Sequence, residues 1–241
     1  ASGYHSLVCS AEESLEKEAA YIQMFIQQRV DGVILVPTGQ AATSVKHLID
    51  HGVPAVLVDR DLHDVNINRV LCDNRQGAYQ AMRHLLELGH RRIGIIGAPA
   101  YSEPMVHRIN GIRQALADLM VSGTLQQFEM GYRAANELLD KSLPPTAVFA
   151  LTDVVAVGVI HAAAEHGLVL PRDLSIVGFD NIPLASFIIP ELTTVAQPIY
   201  EMGEIATRIL LSHIDTPEAE IETVAMPTTL IVRKSTAAPR M

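Results

Sequence analysis

Five times along the chain an apolar, β-branched run gives way to a polar or glycine-bearing turn and then to a helix-patterned segment: GVILVPT, PAVLVDRD, RIGIIGAP, TAVFALTD and LSIVGFDN. Strand and helix in strict alternation build right-handed crossovers, and therefore parallel sheets with helices on both faces. The turns then gather at the carboxyl edge of a sheet, where open α/β folds bind small ligands. The alternation predicts an α/β chain whose polar turn residues touch a small molecule.

Period and punctuation place the elements. The first strand is expected at residues 5–9, followed by a helix over about residues 12–29 whose stripe Leu15, Ala19, Ile22 and Ile26 keeps helical spacing. Further strands are expected at residues 32–36, 54–58, 69–72, 92–96, 146–150, 174–179, 193–197 and 229–233, with a weaker one at 120–125. Helices fill the gaps: one ends at Gly52, one runs from Asn74 to Gly89, and one is led by Pro104 and ends near Asp118. Others follow over residues 129–141, from Asp153 to Gly167, as a short turn at 183–187, and over 199–213. One sheet does not comfortably hold so many strands, and Gly97-Ala98-Pro99 has the composition of a hinge. Two Rossmann-like lobes are expected, residues 1–97 with 198–223 and residues 98–197 with 224–236.

The 18 basic and 27 acidic residues leave a net charge of −9, with no lysine or arginine run. Such a surface is repelled by phosphate backbones, so the chain itself is not expected to touch DNA. Nothing nears the roughly 20 consecutive apolar residues that span a bilayer, so no membrane contact is expected. With no basic, apolar leader at the start, a cytoplasmic location is expected. Cys9 and Cys72 lie in strand-like apolar runs without C-x-x-C spacing, as small buried hydrophobes of a reducing compartment do. His47 and His51 stand four apart on one helix, but no third ligand type lies at a recognisable distance, so no metal is expected.

Gly94-x-x-Gly97 lacks the G-x-G-x-x-G spacing that brings a pyrophosphate to a helix N-terminus, and there is no Walker loop and no G-x-S-x-G elbow. Neither a nucleotide cofactor nor an enzyme is expected. What stands out is the polar set at strand carboxyl ends: Asp59, Arg60 and Asp61; Ser102 and Arg108; Thr152 and Asp153; Asp180 and Asn181. Guanidinium and carboxylate groups fix hydroxyls or carbonyls through paired hydrogen bonds, which suits a sugar or nucleobase. Each residue also has a plainer reading. Asp153 and Asp180 suit helix N-caps, Arg108 a surface residue or lobe-bridging ion pair, and Asp59 and Asp61 a solvated turn.

In order and spacing, several runs resemble the lactose-repressor and galactose-repressor type of bacterial transcription regulator. They are Asp73-Asn74 with Gly77-Ala78, HLLELGHRRIGIIG at 84–97, Arg108-x-x-Gly111, LTDVVAVG at 151–158, LPRDLSIVGFDNIPLAS at 170–186, PELTTVAQP at 190–198 and TLIVRKST at 229–236. The resemblance implies a hinged, two-lobed effector domain of the type I periplasmic-binding-protein kind. It further implies a homodimer in which closure on a small effector in the inter-lobe cleft is passed to a headpiece that holds operator DNA. That headpiece, and the first strand of the amino-terminal lobe, are family parts without a counterpart in these residues. Implied ligand positions are Arg108, Thr152 and Asp180, with Gln197 and Phe187 beside them; Asp59 and Ser102 join them from their strand-end positions. Thr152 departs from the asparagine of many members, and the connection from Leu116 to Phe128 is shorter than usual. Sugars are the family's commonest effectors, although 5% aromatic residues leave few rings to stack on one. A periplasmic sugar receptor of a transporter shares fold and site and stands as the alternative.

Overall fold

The computed structural model describes residues 3–38, 42–97, 102–118, 126–129 and 131–240. The chain runs α1 (Leu15–Gln27), β1 (Val33–Leu35), α2 (Thr43–Asp50), β2 (Ala55–Val58), β3 (Asn68–Cys72), α3 (Asn74–Glu87), β4 (Ile93–Gly97), α4 (Glu103–Asp118) and β5 (Gln126–Glu129). It continues through α5 (Gly131–Leu139), β6 (Ala147–Ala150), α6 (Asp153–Glu165), β7 (Ser175–Asp180), a 3-10 turn (Pro183–Ser186), β8 (Thr193–Ala196), α7 (Ile199–Asp215), β9 (Thr223–Met226) and β10 (Thr229–Ile231). Helix ends follow local chemistry. Asp73 caps α3 by accepting the Gln76 N–H at 2.9 Å, and Gly89 ends it at φ 100°, where a side chain would be strained.

Two compact units result: Ala1–Leu71 with Ile199–Met226, and Cys72–Pro198 with Pro227–Met241. In the first, the sheet order is β1-β2-β3-β9, with β1, β2 and β3 paired in parallel. Ile22 of α1 and Val45 and Leu48 of α2 bury one side of it together with Val33 and Leu57, and α7 packs against β1 and β2. In the second, the order is β10-β8-β7-β6-β4-β5. Every recorded pairing there is parallel except β10 against β8.

The alternation of a strand divides the second unit's core into two layers. Ile95, Phe149, Val177 and Phe179 point to Leu85 of α3 and Ile112 of α4. Ile96, Val148 and Ile176 point the other way, to Leu138 of α5 and Val159 of α6. Helices cover both faces, so strands such as β4 are buried at every residue and appear in sequence as unbroken apolar runs.

Three expectations are corrected. Residues 72–97 belong to the second unit, not the first, because β4 pairs with β5 and β6. A glycine–proline loop marks local freedom, whereas membership of a sheet is fixed by distant partners; Ala98 and Pro99 of that loop lie outside the described residues. The return to the first unit includes the unforeseen strand β9, which moves the final crossing to Met226 and Pro227. Residues 5–9 form no strand, leaving Leu7 and Val8 61% and 88% exposed and Cys9 only half-buried where Cys72 is buried. The strand expected at residues 120–125 falls outside the described residues, and β5 follows directly at Gln126–Glu129.

The carboxyl-terminal segment is fastened to the second unit through buried polar groups. Ser235 Oγ accepts the Thr193 N–H at 2.8 Å and donates to the Ile176 carbonyl at 2.6 Å. His90 lies between Thr146 Oγ1 and the Ala237 carbonyl, each at 2.9 Å, and His84 meets Thr236 Oγ1 at 3.0 Å. Burial pushes both histidines below their usual pKa of 6.5. The unfolded chain therefore binds more protons once the pH drops below 6.5, so stability is full above that value and falls beneath it. Urea unfolding compared at about pH 7.5 and about pH 5.5 should show this loss, bounded by about 1.4 kcal/mol per pH unit per histidine. His90→Gln should flatten the dependence, and an unaltered slope would contradict the assignment.

Candidate functional site

The carboxyl edge of the second unit's sheet is organised around Arg108. It projects from α4 and is 3% exposed. Its Nε donates to Asn74 Oδ1 at 2.8 Å, its Nη1 to the Leu151 carbonyl, and its Nη2 to Asp180 Oδ1 at 3.3 Å. The guanidinium carbon lies 3.7 Å from the centroid of the Phe179 ring, so the plane of the fork is fixed by stacking as well as by hydrogen bonds. Four separate segments thus converge on one cation: the ends of β3, β6 and β7, and α4 itself.

Asp180 ends β7 and is the least buried member of the pair, its side chain 25% exposed. Its Oδ1 also accepts from Gln197 Nε2 at 2.7 Å, which draws the end of β8 into the cluster. The backbone at Asp180 is held at φ 111° and at Asn181 at φ 54°, a region that costs non-glycine residues about 1–3 kcal/mol each. That strain is sustained by clamps on both sides. Arg108 and Gln197 hold the Asp180 carboxylate, and Arg233 Nη2 donates to Asn181 Oδ1 at 2.7 Å.

Asp153 lies beneath this edge, fully buried. It takes the Thr194 hydroxyl on Oδ1 at 2.6 Å and the Ile182 N–H on Oδ2 at 2.9 Å. Burial raises its pKa, and these hydrogen bonds together with the charge of Arg233 oppose the rise. It is therefore an internal brace rather than the N-cap of α6. Thr152 takes the cap, its hydroxyl accepting the Val155 N–H at 3.2 Å.

Of the residues singled out in sequence, the structure brings Arg108, Asp180 and Gln197 together. Thr152 is next along the chain from Leu151, with its hydroxyl engaged in the cap. Ser102 precedes α4 and its carbonyl accepts the Val106 N–H at 3.2 Å. Phe187 follows the 3-10 turn and is 78% exposed. Asp59 belongs to the first unit, at φ 68° after β2, with its N–H bonded to the Val70 carbonyl at 3.0 Å. Asn74 and Arg233 went unnoticed as site residues. Asn74 carried a usable signal, a polar residue at a strand's carboxyl end, but it was absorbed as the first residue of a helix.

Residues 82–236 match the periplasmic binding protein-like domain family. Over 239 residues the chain is 36% identical to the ribose operon repressor of Halalkalibacterium halodurans, covering 97% of this chain and 71% of that protein. It is 35% identical over 246 residues to the transcriptional repressor PurR of Klebsiella pneumoniae, with 98% and 72% covered. A LacI family transcriptional regulator from Enterococcus faecium, solved with bound ribose, superimposes with a TM-score of 0.85 at 32% identity over 92% of this chain and 85% of that one. The chain belongs to the LacI family of transcriptional regulators. As a LacI-family chain it is the effector-binding core of a regulator, and the transport-receptor alternative is set aside because the matched relatives regulate transcription. Among the described residues no helix is long and apolar enough to cross a membrane.

Proposed function

We propose that the chain senses a sugar, with ribose the first candidate, at Arg108, Asp180 and Gln197, and that it does so without converting it. The observation that carries the proposal is the Arg108 guanidinium, buried and held flat by Asn74, Leu151, Phe179 and Asp180 at a sheet's carboxyl edge. A pre-set fork beside a partly exposed carboxylate offers donors and acceptors to adjacent hydroxyls without an ordering cost at the moment of binding. The names of the ribose operon repressor and the ribose-bound regulator support the sugar class. Thr152, which follows β6, and Ser102, which precedes α4, are secondary contacts in this proposal. An effector acts on operator binding through its differential affinity for two conformations of the regulator. The setting is the cytoplasm, and operator DNA is reached through a headpiece of the same regulator, since a net charge of −9 suits this core poorly to phosphate backbones. Titration calorimetry of the chain with ribose, a purine base and a phosphorylated sugar tests it. Saturable heat with ribose is expected, and none from a cooperatively folded sample rejects the sugar reading.

The proposal includes a homodimer. Phe187 and Ile189 follow the 3-10 turn 78% and 92% exposed, an apolar pair more at home in an interface core than in water. Sedimentation equilibrium should give a dimer for the wild type and a shift toward monomer for Ile189→Asp. A monomeric wild type at micromolar concentration removes the dimer from the reading.

A further inference from the structure

Two consecutive non-glycine residues stand in the left-handed region where β7 ends, Asp180 at φ 111° and Asn181 at φ 54°, and the first of them belongs to the proposed sugar site. Such a conformation persists only where its surroundings over-determine it. Arg108, Gln197 and Arg233 hold the side chains of this turn. Its backbone is held from beneath. The Ile182 N–H donates to Asp153 Oδ2 at 2.9 Å and the Asn181 N–H to Thr194 Oγ1 at 3.4 Å. The Thr194 hydroxyl in turn donates to Asp153 Oδ1 at 2.6 Å. One fully buried pair therefore takes both N–H groups that follow Asp180.

Register explains how the pair fits. β7 and β8 run parallel with Gly178 opposite Thr194, which puts both residues on one face of the sheet. A Cβ on Gly178 would stand 2.1 Å from Asp153 Oδ1, so the carboxylate occupies the space that a β7 side chain would fill, beside the hydroxyl across the ladder. Two residues on, alternation would send the Asp180 side chain to this same face, towards a second carboxylate. Its positive φ departs from that path, and Asp180 meets Arg108, which is stacked on Phe179 of the opposite face. The direction of the Asp180 carboxylate hangs on the turn, and the turn hangs on Asp153 and Thr194.

We infer that Asp153 and Thr194 are positioning residues of the effector site: buried away from any ligand, they fix the turn that aims Asp180 at Arg108 and Gln197. The inference rests on the sugar reading for its effect on affinity, but not for its effect on the turn. The Gln197 side-chain amide donates to Asp180 Oδ1 at 2.7 Å, so its NMR signal reports where that carboxylate stands before any ribose is added. Calorimetry with ribose reports the site itself.

Thr194→Val removes the hydroxyl that joins Asn181 to Asp153. The Gln197 amide signal should move to the position of a solvated side-chain amide, and ribose affinity should fall about tenfold, the effect of losing one hydrogen bond to a charged group. Thr194→Ser restores the hydroxyl and should recover both. Leu138→Ala opens a cavity in the layer packed against α5 and should move neither. An unmoved Gln197 signal in Thr194→Val overturns the inference, as does a Thr194→Ser protein equally impaired or a Leu138→Ala protein equally shifted. Should Thr194→Val not fold, Asp153→Asn, which sets an amide group among the same donors, is read by the same two measurements. A wild type that binds no ribose rejects the sugar reading, and the Gln197 signal then decides the inference by itself.

Discussion

Arg108→Ala is expected to weaken ribose binding by more than about 100-fold and to cost about 3 kcal/mol of stability, the scale of a buried charge pair broken from one side. Alanine leaves Asn74 Oδ1 and the Leu151 carbonyl without a donor they now have, and each buried acceptor so treated costs about 1–3 kcal/mol. It also uncovers the Phe179 ring beneath the guanidinium. Asp180 keeps Gln197, which holds the loss below that of an isolated buried carboxylate. Arg108→Lys separates stability from recognition: it restores the charge but not the flat fork, so the unfolding temperature should recover in part while ribose affinity does not. Calorimetry and thermal unfolding on both variants measure the two effects. A folded Arg108→Ala protein that binds ribose as tightly as the wild type eliminates the site.

Gly111→Ala is expected to be the most damaging single methyl in the second unit. A Cβ at Gly111 on α4 would stand 2.0 Å from the Arg75 carbonyl oxygen and 3.0 Å from the Tyr79 nitrogen, both backbone atoms of α3. No rotamer change relieves that contact, so the two helices must separate. Overpacking of this kind costs about 3 kcal/mol, which in a chain of this size lowers the unfolding temperature by about 6–12 °C. Gly203→Ala on α7 is the control, because a Cβ there meets nothing within 4 Å, and replacing a helical glycine stabilises by about 0.5–1 kcal/mol. Equal unfolding temperatures for the two variants would show that the α3–α4 contact yields more easily than its geometry indicates.

Elements whose stability is local were legible in the sequence. The helical stripe of α1 and the closing Gly89 of α3 each announce themselves within a few residues, and fully buried strands such as β4 and β6 are unbroken apolar runs. What failed depends on partners far away along the chain. β9 is four residues with every second one exposed, too short to stand out. Residues 5–9 have strand composition, but composition cannot supply a neighbour. The boundary expected at Gly97 mistook a flexible turn for a division that is drawn by pairing.

The site divides in the same way. Arg108 and Asp180 are noticeable because charge beside a strand end is unusual in an apolar run. Their proximity is 72 residues distant in sequence, and it became an expectation through the family pattern alone. Asn74, 34 residues from Arg108, had no such help, since an asparagine that opens a helix needs no further explanation.

The path of the backbone between the two units has a consequence for synthesis. The chain leaves the first unit after Leu71, returns at Ile199 and leaves again after Met226. A ribosome that has delivered α1 to β3 has therefore made one side of a sheet whose cover, α7, is more than a hundred codons away, and β10 with the segment after it reaches the second unit later still. Each half waits on residues made long after its first strands. A premature stop anywhere before Pro227 would release a polypeptide in which neither half is finished, a product fit for proteolysis rather than for partial function.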